Sequence, residues 1–481
     1  IWSSLVGSEM CIRDRTIANA AAIVQNGDVR GIYHKSFLPN YSVFDEARYF
    51  SKGTEPNTLF WYDDIAIGIN ICEDIWIEDG PAEEQVKQGA SLIININASP
   101  YDIHKSETRK EIVMKKALKL NVPIIYLNMV GGQDELVFDG GSFVVNDLGE
   151  IIYQASSFKE EVFHLDIDLK TNKQNDKSPL IIRPKTIELK DVESKASLSK
   201  NESIYSALKL GLKDYVRKNK FTKVLIGISG GIDSALTAAI CVDALGAENV
   251  IGVAMPSKYN SKDSLDDAIK LSDNLGITLK TIEIEKLVDD FRETLTNSLN
   301  EDLGQITDEN IQSRVRGNIL MGLSNQTGAM VVSTGNKSEM AVGYSTLYGD
   351  LAGGFALIKD LYKTKVYELS NYINSISDAI PKNIITKEPS AELRPNQFDS
   401  DSLPDYEVLD KILNLYIEED SSSEKIIATG VDPDLVFDVL EKVDRNEYKR
   451  KQVAPGVKLT QKAFGKDRRM PITNTYIRQK E

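Results

Sequence analysis

Between about Thr16 and Leu169 the apolar residues fall in short runs: VRGIYHK, IAIGINIC, ASLIININ, PIIYLNMV, GSFVVND and EIIYQ. Runs of this length predict half-buried or fully buried strands. From about Ser106 to Leu120 the pattern changes. Glu111, Ile112, Val113, Ala117 and Leu118 mix charged and apolar faces at helical spacing, which predicts a helix. Helices covering buried strands make this region an α/β or α+β sandwich.

A polar, lysine-rich stretch, LKTNKQNDKSP, begins at about Leu169 and predicts a linker over 170–199. After Ser199 apolar strands alternate with amphipathic helices. VLIGIS leads into a helix through Leu245, VIGVAMPS into one through Leu275, and TIEI follows as a strand. This alternation predicts a doubly wound parallel sheet, whose ligands bind at the carboxyl ends of the strands. No internal repeat is present.

The chain has 481 residues, which implies two to four domains. Its 41% hydrophobic and 27% charged residues match globular proteins, so disorder is not the default. A formal charge of −15 argues against a general nucleic-acid or anionic-membrane binder, but leaves room for a nucleotide in a local basic pocket. Cys11, Cys72 and Cys241 are the three cysteines, with no CxxC spacing. A disulfide scaffold is excluded, a zinc ribbon is disfavoured, and a reducing cytoplasm fits. The three histidines, His34, His104 and His164, are not accompanied by a GxSxG nucleophile elbow. No run of about 18 apolar residues exists to span a membrane. Residues 1–15, IWSSLVGSEMCIRDR, lack the apolar core of a signal peptide and read as a non-native, adaptor-derived segment. They are set aside, with Cys11.

The sharpest chemical signal is VLIGISGGIDSA, residues 224–235, where an apolar strand runs through SGGIDS into the helix ALTAAICVDAL. Glycines let backbone N–H groups crowd an oxyanion, and the helix N-terminus adds positive potential. Ser229 and Ser234 can donate hydroxyls, and Asp233 beside a phosphate suits a magnesium ligand. A capped strand-to-helix turn is the plainer reading of GGxDS alone. No Walker GxxxxGK[ST] precedes the helix.

The full SGGxDS resembles the pyrophosphate loop of N-type ATP pyrophosphatases, which cleave ATP between the α and β phosphates and adenylylate a substrate. MVVSTGNKSE, GYSTLYGDLAGGFALIKDLYKTKVYEL, KEPSAELRPNQFDSDSLPDYEVLD, PGVKLT and FGKDRRMPITN follow it. With these, residues 200–481 resemble the synthetase domain of glutamine-dependent NAD synthetases. The resemblance implies that ATP is held by Gly227, Ile228, Ser229, Gly230, Gly231, Ile232, Asp233, Ser234, Thr334 and Lys363. It assigns Mg2+ to Asp233 and Glu339, and the deamido-NAD substrate to Asn310, Arg314, Glu339 and Lys458. Lys449, Arg450, Lys451, Arg468 and Arg469 form a basic cluster in an acidic chain, either a solvated face or a dinucleotide-binding lid. Adenylylation would turn a carboxylate oxygen into a leaving group for attack by ammonia.

Cys72 ends the buried-strand pattern IAIGINIC and is followed at once by Glu73 and Asp74, which places the sulfur at a strand end. Upstream stands YHKSFLPNY with Lys35, and downstream NASPY and VGGQDELVFDGGS. The region resembles the nitrilase-like glutaminase (amidase) domain of the same synthetases, here 16–169. That implies Cys72 as nucleophile on the glutamine carboxamide, assisted by Lys35, with Tyr41, Glu73, Ser99 and Lys105 on the substrate. The fold class implied is a partial nitrilase-like αββα sandwich followed by the parallel-sheet ATP pyrophosphatase domain. Nitrilase triads are Glu-Lys-Cys, and TIANAAAIVQNGDVR before Lys35 holds no glutamate. A truncated, defective glutaminase half is therefore expected, and replacement of the missing base by Glu46 or Glu73 is disfavoured.

The reaction implied is deamido-NAD, ATP and glutamine or ammonia giving NAD, AMP and pyrophosphate, in a cytoplasmic homo-oligomer. The alternatives are another ATP-pyrophosphatase amide synthetase, a tRNA-modifying adenylase, and an amidase with a nucleotide-binding regulatory domain. The regulatory-domain reading leaves the Asp233/Glu339 pair without purpose, and a tRNA enzyme lacks the expected zinc or persulfide cysteines.

Overall fold

The run Leu92–Asn97 is buried along its whole length because it is covered on both faces. Leu92, Ile94 and Ile96 pack into one core with Ala21, Tyr33, Phe60, Ile71 and Cys72. Ile93 turns the other way, into a core with Val113, Ala117, Ile124, Tyr126 and Phe143. Alternation along a strand thus serves two cores at once.

The computed structural model describes residues 6–9, 17–62, 64–169, 194–465 and 467–473. Two compact units result, Ile1–Gly131 with Phe138–Leu198, and Gly132–Val137 with Ser199–Glu481.

In the first unit the strands are β1 (Val6–Glu9), β2 (Ala18–Gln25), β3 (Asp28–His34), β4 (Leu59–Tyr62), β5 (Ile65–Ile71), β6 (Leu92–Asn97) and β7 (Ile124–Asn128). After β8 (Val130–Gln133) and β9 (Leu136–Asp139) come β10 (Phe143–Val145) and β11 (Ile151–Gln154); the helices are α1 (Glu46–Tyr49), α2 (Pro81–Lys87) and α3 (Lys105–Leu120). An antiparallel sheet β1-β2-β3 faces a six-stranded mixed sheet ordered β11-β10-β7-β6-β5-β4, and α2 and α3 cover the far side of the larger sheet. β5, β6 and β7 run parallel at its centre, so their carboxyl ends open at one edge. β2 and β4 escaped the sequence reading.

In the second unit the order is α4 (Lys200–Lys218), β12 (Val224–Gly227), α5 (Ile232–Leu245), β13 (Val250–Ala254), α6 (Lys262–Leu275), β14 (Thr278–Thr281), α7 (Glu285–Leu299) and α8 (Gln305–Thr327). Then follow β15 (Met330–Ser333), α9 (Lys337–Val342), β16 (Phe355–Ala356), α10 (Lys363–Ser377), α11 (Lys382–Thr386), α12 (Tyr406–Leu413), α13 (Ser423–Ile427), α14 (Pro433–Arg445) and α15 (Glu447–Arg450). All five strands are parallel, ordered β14-β13-β12-β15-β16. The winding reverses between β12 and β15, the place where such sheets open a crevice for ligand. A second apolar core joins α9 to α12 and α14 through Ala341, Leu409, Ile412, Val436 and Leu440.

Three expectations need correction. The edge strand is Thr278–Thr281, three residues before TIEI, because Ile284 is drawn under α7 as its buried cap. Not all of 170–199 is linker. Residues 170–193 lie outside the described residues, but Lys195 N–H donates to Gln154 O (2.9 Å) and Ser199 accepts from Glu202 N–H as the cap of α4. The first unit is also not one continuous stretch, since Gly132–Val137 is counted with the second, where Gly132 N–H donates to Asp214 Oδ2 (2.7 Å). Of the segment set aside, residues 1–5 and 10–15, including Cys11, lie outside the described residues.

Candidate functional site

The first unit gathers its reactive groups at the carboxyl end of β5. Cys72 begins a 3-10 turn with φ +47, a left-handed conformation that costs a side-chain-bearing residue about 1–3 kcal/mol and persists only where surroundings enforce it. The thiol is buried, and burial pushes it up to about 11 while the Lys35 ammonium pulls it down. Lys35, fully buried, binds Glu46 through both carboxylate oxygens (2.7 and 2.8 Å). Of the two carboxylates weighed as replacement bases, Glu46 therefore holds the lysine. Glu73 instead accepts from the Tyr41 hydroxyl (3.0 Å).

Ser99 is locked by its neighbours. Arg109 Nε donates to its hydroxyl (3.1 Å), Nη2 donates to its carbonyl (2.9 Å), and its own N–H donates to Asn128 Oδ1 (2.9 Å). Arg109 is in turn paired with Asp139 (2.6 Å) and buried. Lys105 stands over the Trp76 ring, 4.8 Å from its centroid. Glu46, Asp74, Arg109 and Asp139 shape this site, yet only Glu46 was singled out from sequence. Asp74 stands two residues after Cys72 and was visible as a polar residue in an apolar run.

In the second unit a cavity of about 500 Å³ opens at the β12/β15 crevice, a size suited to a small-molecule ligand. Gly227, Ile228, Ser229, Gly230, Gly231, Ile232, Asp233, Thr334 and Lys363 line it, as do Asn310 and Glu339. Ser234 stands just behind, its hydroxyl accepting from Ser229 N–H (3.3 Å) and donating to Gly231 O (2.9 Å). Gly230 has φ +78, and a β-carbon there would lie 2.3 Å from Ser264 O, so the turn admits glycine alone.

Lys363, the first residue of α10, binds Asp233 Oδ2 (2.5 Å) and Glu339 Oε1 (3.3 Å). Burial drives the Glu339 carboxyl up to about 8; Lys363 opposes this and Asp233 reinforces it. Asp399 adds a third carboxylate to this field, held by Tyr406 (2.8 Å) and Tyr344 (3.3 Å). The first turn of α9 spreads its contacts. Asn336 caps the helix and donates to Asp233 Oδ1 (2.9 Å), Lys337 binds Asp360 (2.7 Å) and Glu418, and Ser338 donates to Asp410 and accepts from Lys363 N–H (2.9 Å).

Two expected substrate contacts are placed elsewhere. Lys458 fills its three donors with Asp467 (2.7 Å), Thr460 O (2.7 Å) and Gln461 O (2.8 Å), which leaves it none for a ligand. Arg314 does not line the cavity and donates to Leu347 O (3.2 Å). Two residues along the same helix, Arg316 does line it, fixed to Met255 O and Asn260 (each 3.1 Å). Lys449, one of the basic cluster, also lines the cavity, whereas Arg468 lies over the Tyr416 ring.

A strained thiol beside a buried lysine, and in the other unit a glycine turn aimed into a crevice, define a two-headed class: a cysteine amidohydrolase fold joined to a nucleotide-using synthetase fold. The comparisons agree. The carbon-nitrogen hydrolase family matches residues 4–175, and the NAD synthase family residues 204–453. The glutamine-dependent NAD(+) synthetase of Aquifex aeolicus is 47% identical over 476 residues, covering 96% of this chain and 84% of its own length. That of Thermotoga maritima is 48% identical over 483 residues, with the same coverage. The structure of glutamine-dependent NAD+ synthetase from Acinetobacter baumannii in complex with ADP aligns with a TM-score of 0.72 at 42% identity, covering 99% of this chain and 85% of that one. The chain belongs to the glutamine-dependent NAD(+) synthetases.

Proposed function

We infer that the second unit adenylylates the nicotinate carboxylate of deamido-NAD with ATP, and that the first unit supplies ammonia from glutamine at Cys72. The observation that carries this is the glycine turn after β12 opening into the same cavity as Lys363, Asp233 and Glu339.

The backbone N–H groups of the turn, the Ser229 hydroxyl and the start of α5 receive the phosphates of ATP. The substrate carboxylate attacks the α-phosphorus, pyrophosphate leaves, and ammonia then displaces AMP from the acyl adenylate to give the amide. Positioning does most of this work, because the protein forms no covalent bond in it. Lys363, freed from its carboxylates, supplies a point charge to the departing pyrophosphate, while Lys449 and Arg316 face the anionic dinucleotide.

Asp233 and Glu339 fit a magnesium ion. Two hard carboxylates already share one ammonium, and burial leaves Glu339 in want of a cation. Mg2+ typically takes one or two protein carboxylates and completes its shell from phosphate and water, and when bound it offsets charge on the phosphates.

At Cys72 the thiolate adds to the glutamine carboxamide, ammonia leaves, and water releases glutamate from the thioester. Lys35 faces the developing oxyanion, and Glu46 is the carboxylate available to take the thiol proton. Self-association belongs to this reading too, supported by Leu287, Phe291 and Leu299 exposed along α7.

Pyrophosphate release with Mg2+, ATP and deamido-NAD, supplied with ammonium or glutamine, tests the assignment. Turnover with both donors is expected where Glu46 serves as base. Turnover with ammonium alone means the glutaminase lacks its base, and none with either donor overturns the synthetase.

A further inference from the structure

Asp74 is fully buried two residues after the nucleophile, and among the described residues the hydrogen bonds its carboxylate accepts all come from the two segments that make the thiol site. Oδ2 accepts from Ile71 N–H (3.0 Å), the peptide just before Cys72, and from the Tyr33 hydroxyl on β3 (2.9 Å). Oδ1 accepts from Ser36 N–H (3.1 Å) and Phe37 N–H (2.9 Å), the two peptides just after Lys35. Four donors meet the roughly four lone-pair sites of a carboxylate. We propose that Asp74 is the positioning residue of the glutaminase, one carboxylate clamping the strained Cys72 elbow to the strand end that carries Lys35.

The proposal rests on the reading of Cys72 as the glutamine-cleaving thiol. Its logic is geometric. The left-handed Cys72 and a long lysine side chain each have easier conformations available, and neither helix nor sheet hydrogen bonds tie them together. An asparagine at 74 is the same size but cannot replace the carboxylate, because either flip turns its NH2 toward N–H or O–H donors. The groups whose charge reaches the thiol are Lys35, Arg109, Glu46 and Glu73, with the phenols of Tyr41 and Tyr126. Asp74→Asn keeps each of these groups and removes the carboxylate that both ties down the Lys35 segment and acts on the Lys35 ammonium.

The test uses the full chain and two readouts: the ratio of glutamine-supported to ammonium-supported NAD formation, and the pH profile of Cys72 alkylation by iodoacetamide, followed on the Cys72 peptide by mass spectrometry. In Asp74→Asn the ratio should fall roughly tenfold or more, as expected for a misplaced reacting pair. Alkylation should slow and its midpoint rise, because the thiolate loses its nearest cation. Tyr33→Phe, which removes one donor and keeps the carboxylate, should stay within about threefold of the parent. A parental ratio and midpoint in Asp74→Asn overturn the proposal. So does faster alkylation at an ordinary midpoint near about 8.5, which would mean the residue only keeps the unit folded. If the parent protein releases no ammonia from glutamine, the glutaminase reading fails, and the alkylation profile alone decides on Asp74.

Discussion

At the end of β5 the chain presents a side chain, and at the end of β12 it presents its backbone. β5 runs parallel to β6 and β12 runs parallel to both of its neighbours, both strands are largely buried, and both end at a candidate site. Cys72 must keep its sulfur, so a residue with a β-carbon is held at φ +47. The turn after β12 must bring N–H groups close to phosphate, so Gly230 sits at φ +78 where any β-carbon would strike Ser264 O. Covalent catalysis retains the side chain and accepts strain, whereas phosphate binding removes the side chain to let the backbone approach. The charges differ in the same sense. The thiol has a buried lysine already paired to Glu46, while Lys363 stands among Asp233, Glu339 and Asp399.

The largest expected effect separates the two turns outright. Cys72→Ala should lower glutamine-supported NAD formation by about a thousandfold or more and leave ammonium-supported formation within about twofold, since only one half-reaction uses a covalent bond to the protein. Lys363→Met should do what Cys72→Ala does not, lowering the rate by about a hundredfold or more with either donor. If Lys363→Met spared the ammonium reaction, the lysine would be structural only. Gly230→Ala comes next, with an expected loss of about ten- to a hundredfold for both donors and a raised KM for ATP, because Ser264 or the turn must shift. An unchanged KM for ATP would place the phosphates elsewhere.

How much of this the sequence carried depended on how far apart the cooperating residues lie. SGGIDS could be read because strand, turn and helix fall within a dozen consecutive residues, and the order of β12, α5, β13 and α6 followed from local periodicity. Cys72 could be read because acidic residues break an apolar run. Asp399, Arg316 and the Lys35–Glu46 pair depend on tertiary neighbours, and no local pattern distinguishes them from surface charges. Lys458 was assigned to the dinucleotide by the family resemblance, and its donors lie on Asp467 and two carbonyls, tertiary partners that no local pattern shows. The edge strand β14 was misplaced because three of its four residues are exposed and polar or charged, so the apolar signal lay in Ile282 and Ile284 beyond it.

The smallest expected effect on turnover lies behind the phosphate site, where Lys337 is fully buried beside Asn336 and pairs with Asp360. Burial alone would raise the Asp360 carboxyl, but Lys337 and the N–H groups of Leu459 and Thr460 hold it below the usual range. A carboxyl lowered by folding adds stability above its unfolded pKa of about 3.9 and loses it as pH falls through the lower, folded value. Asp360→Asn should therefore be less stable than the parent at neutral pH by a few kcal/mol, since it removes one of the two carboxylates that pair with the buried Lys337 and leaves Glu418. The gap between the two proteins should begin to narrow below about pH 4, where the unfolded parent takes up a proton that the folded Asp360 carboxylate still resists, and keep narrowing as pH falls towards the folded value. Denaturant unfolding between pH 7 and pH 3 measures this, and a gap that stays constant would mean Asp360 acts through shape and not charge. Ammonium-supported turnover at neutral pH should fall only a few-fold, because Asn336 and Glu339 keep their own bonds to Asp233 and Lys363. That contrast sharpens the comparison: at β5 one carboxylate holds the reactive geometry, while across the crevice from β12 the start of α9 divides its anchoring among Asn336, Lys337, Ser338 and Glu339, and losing the partner of one leaves the other three in place.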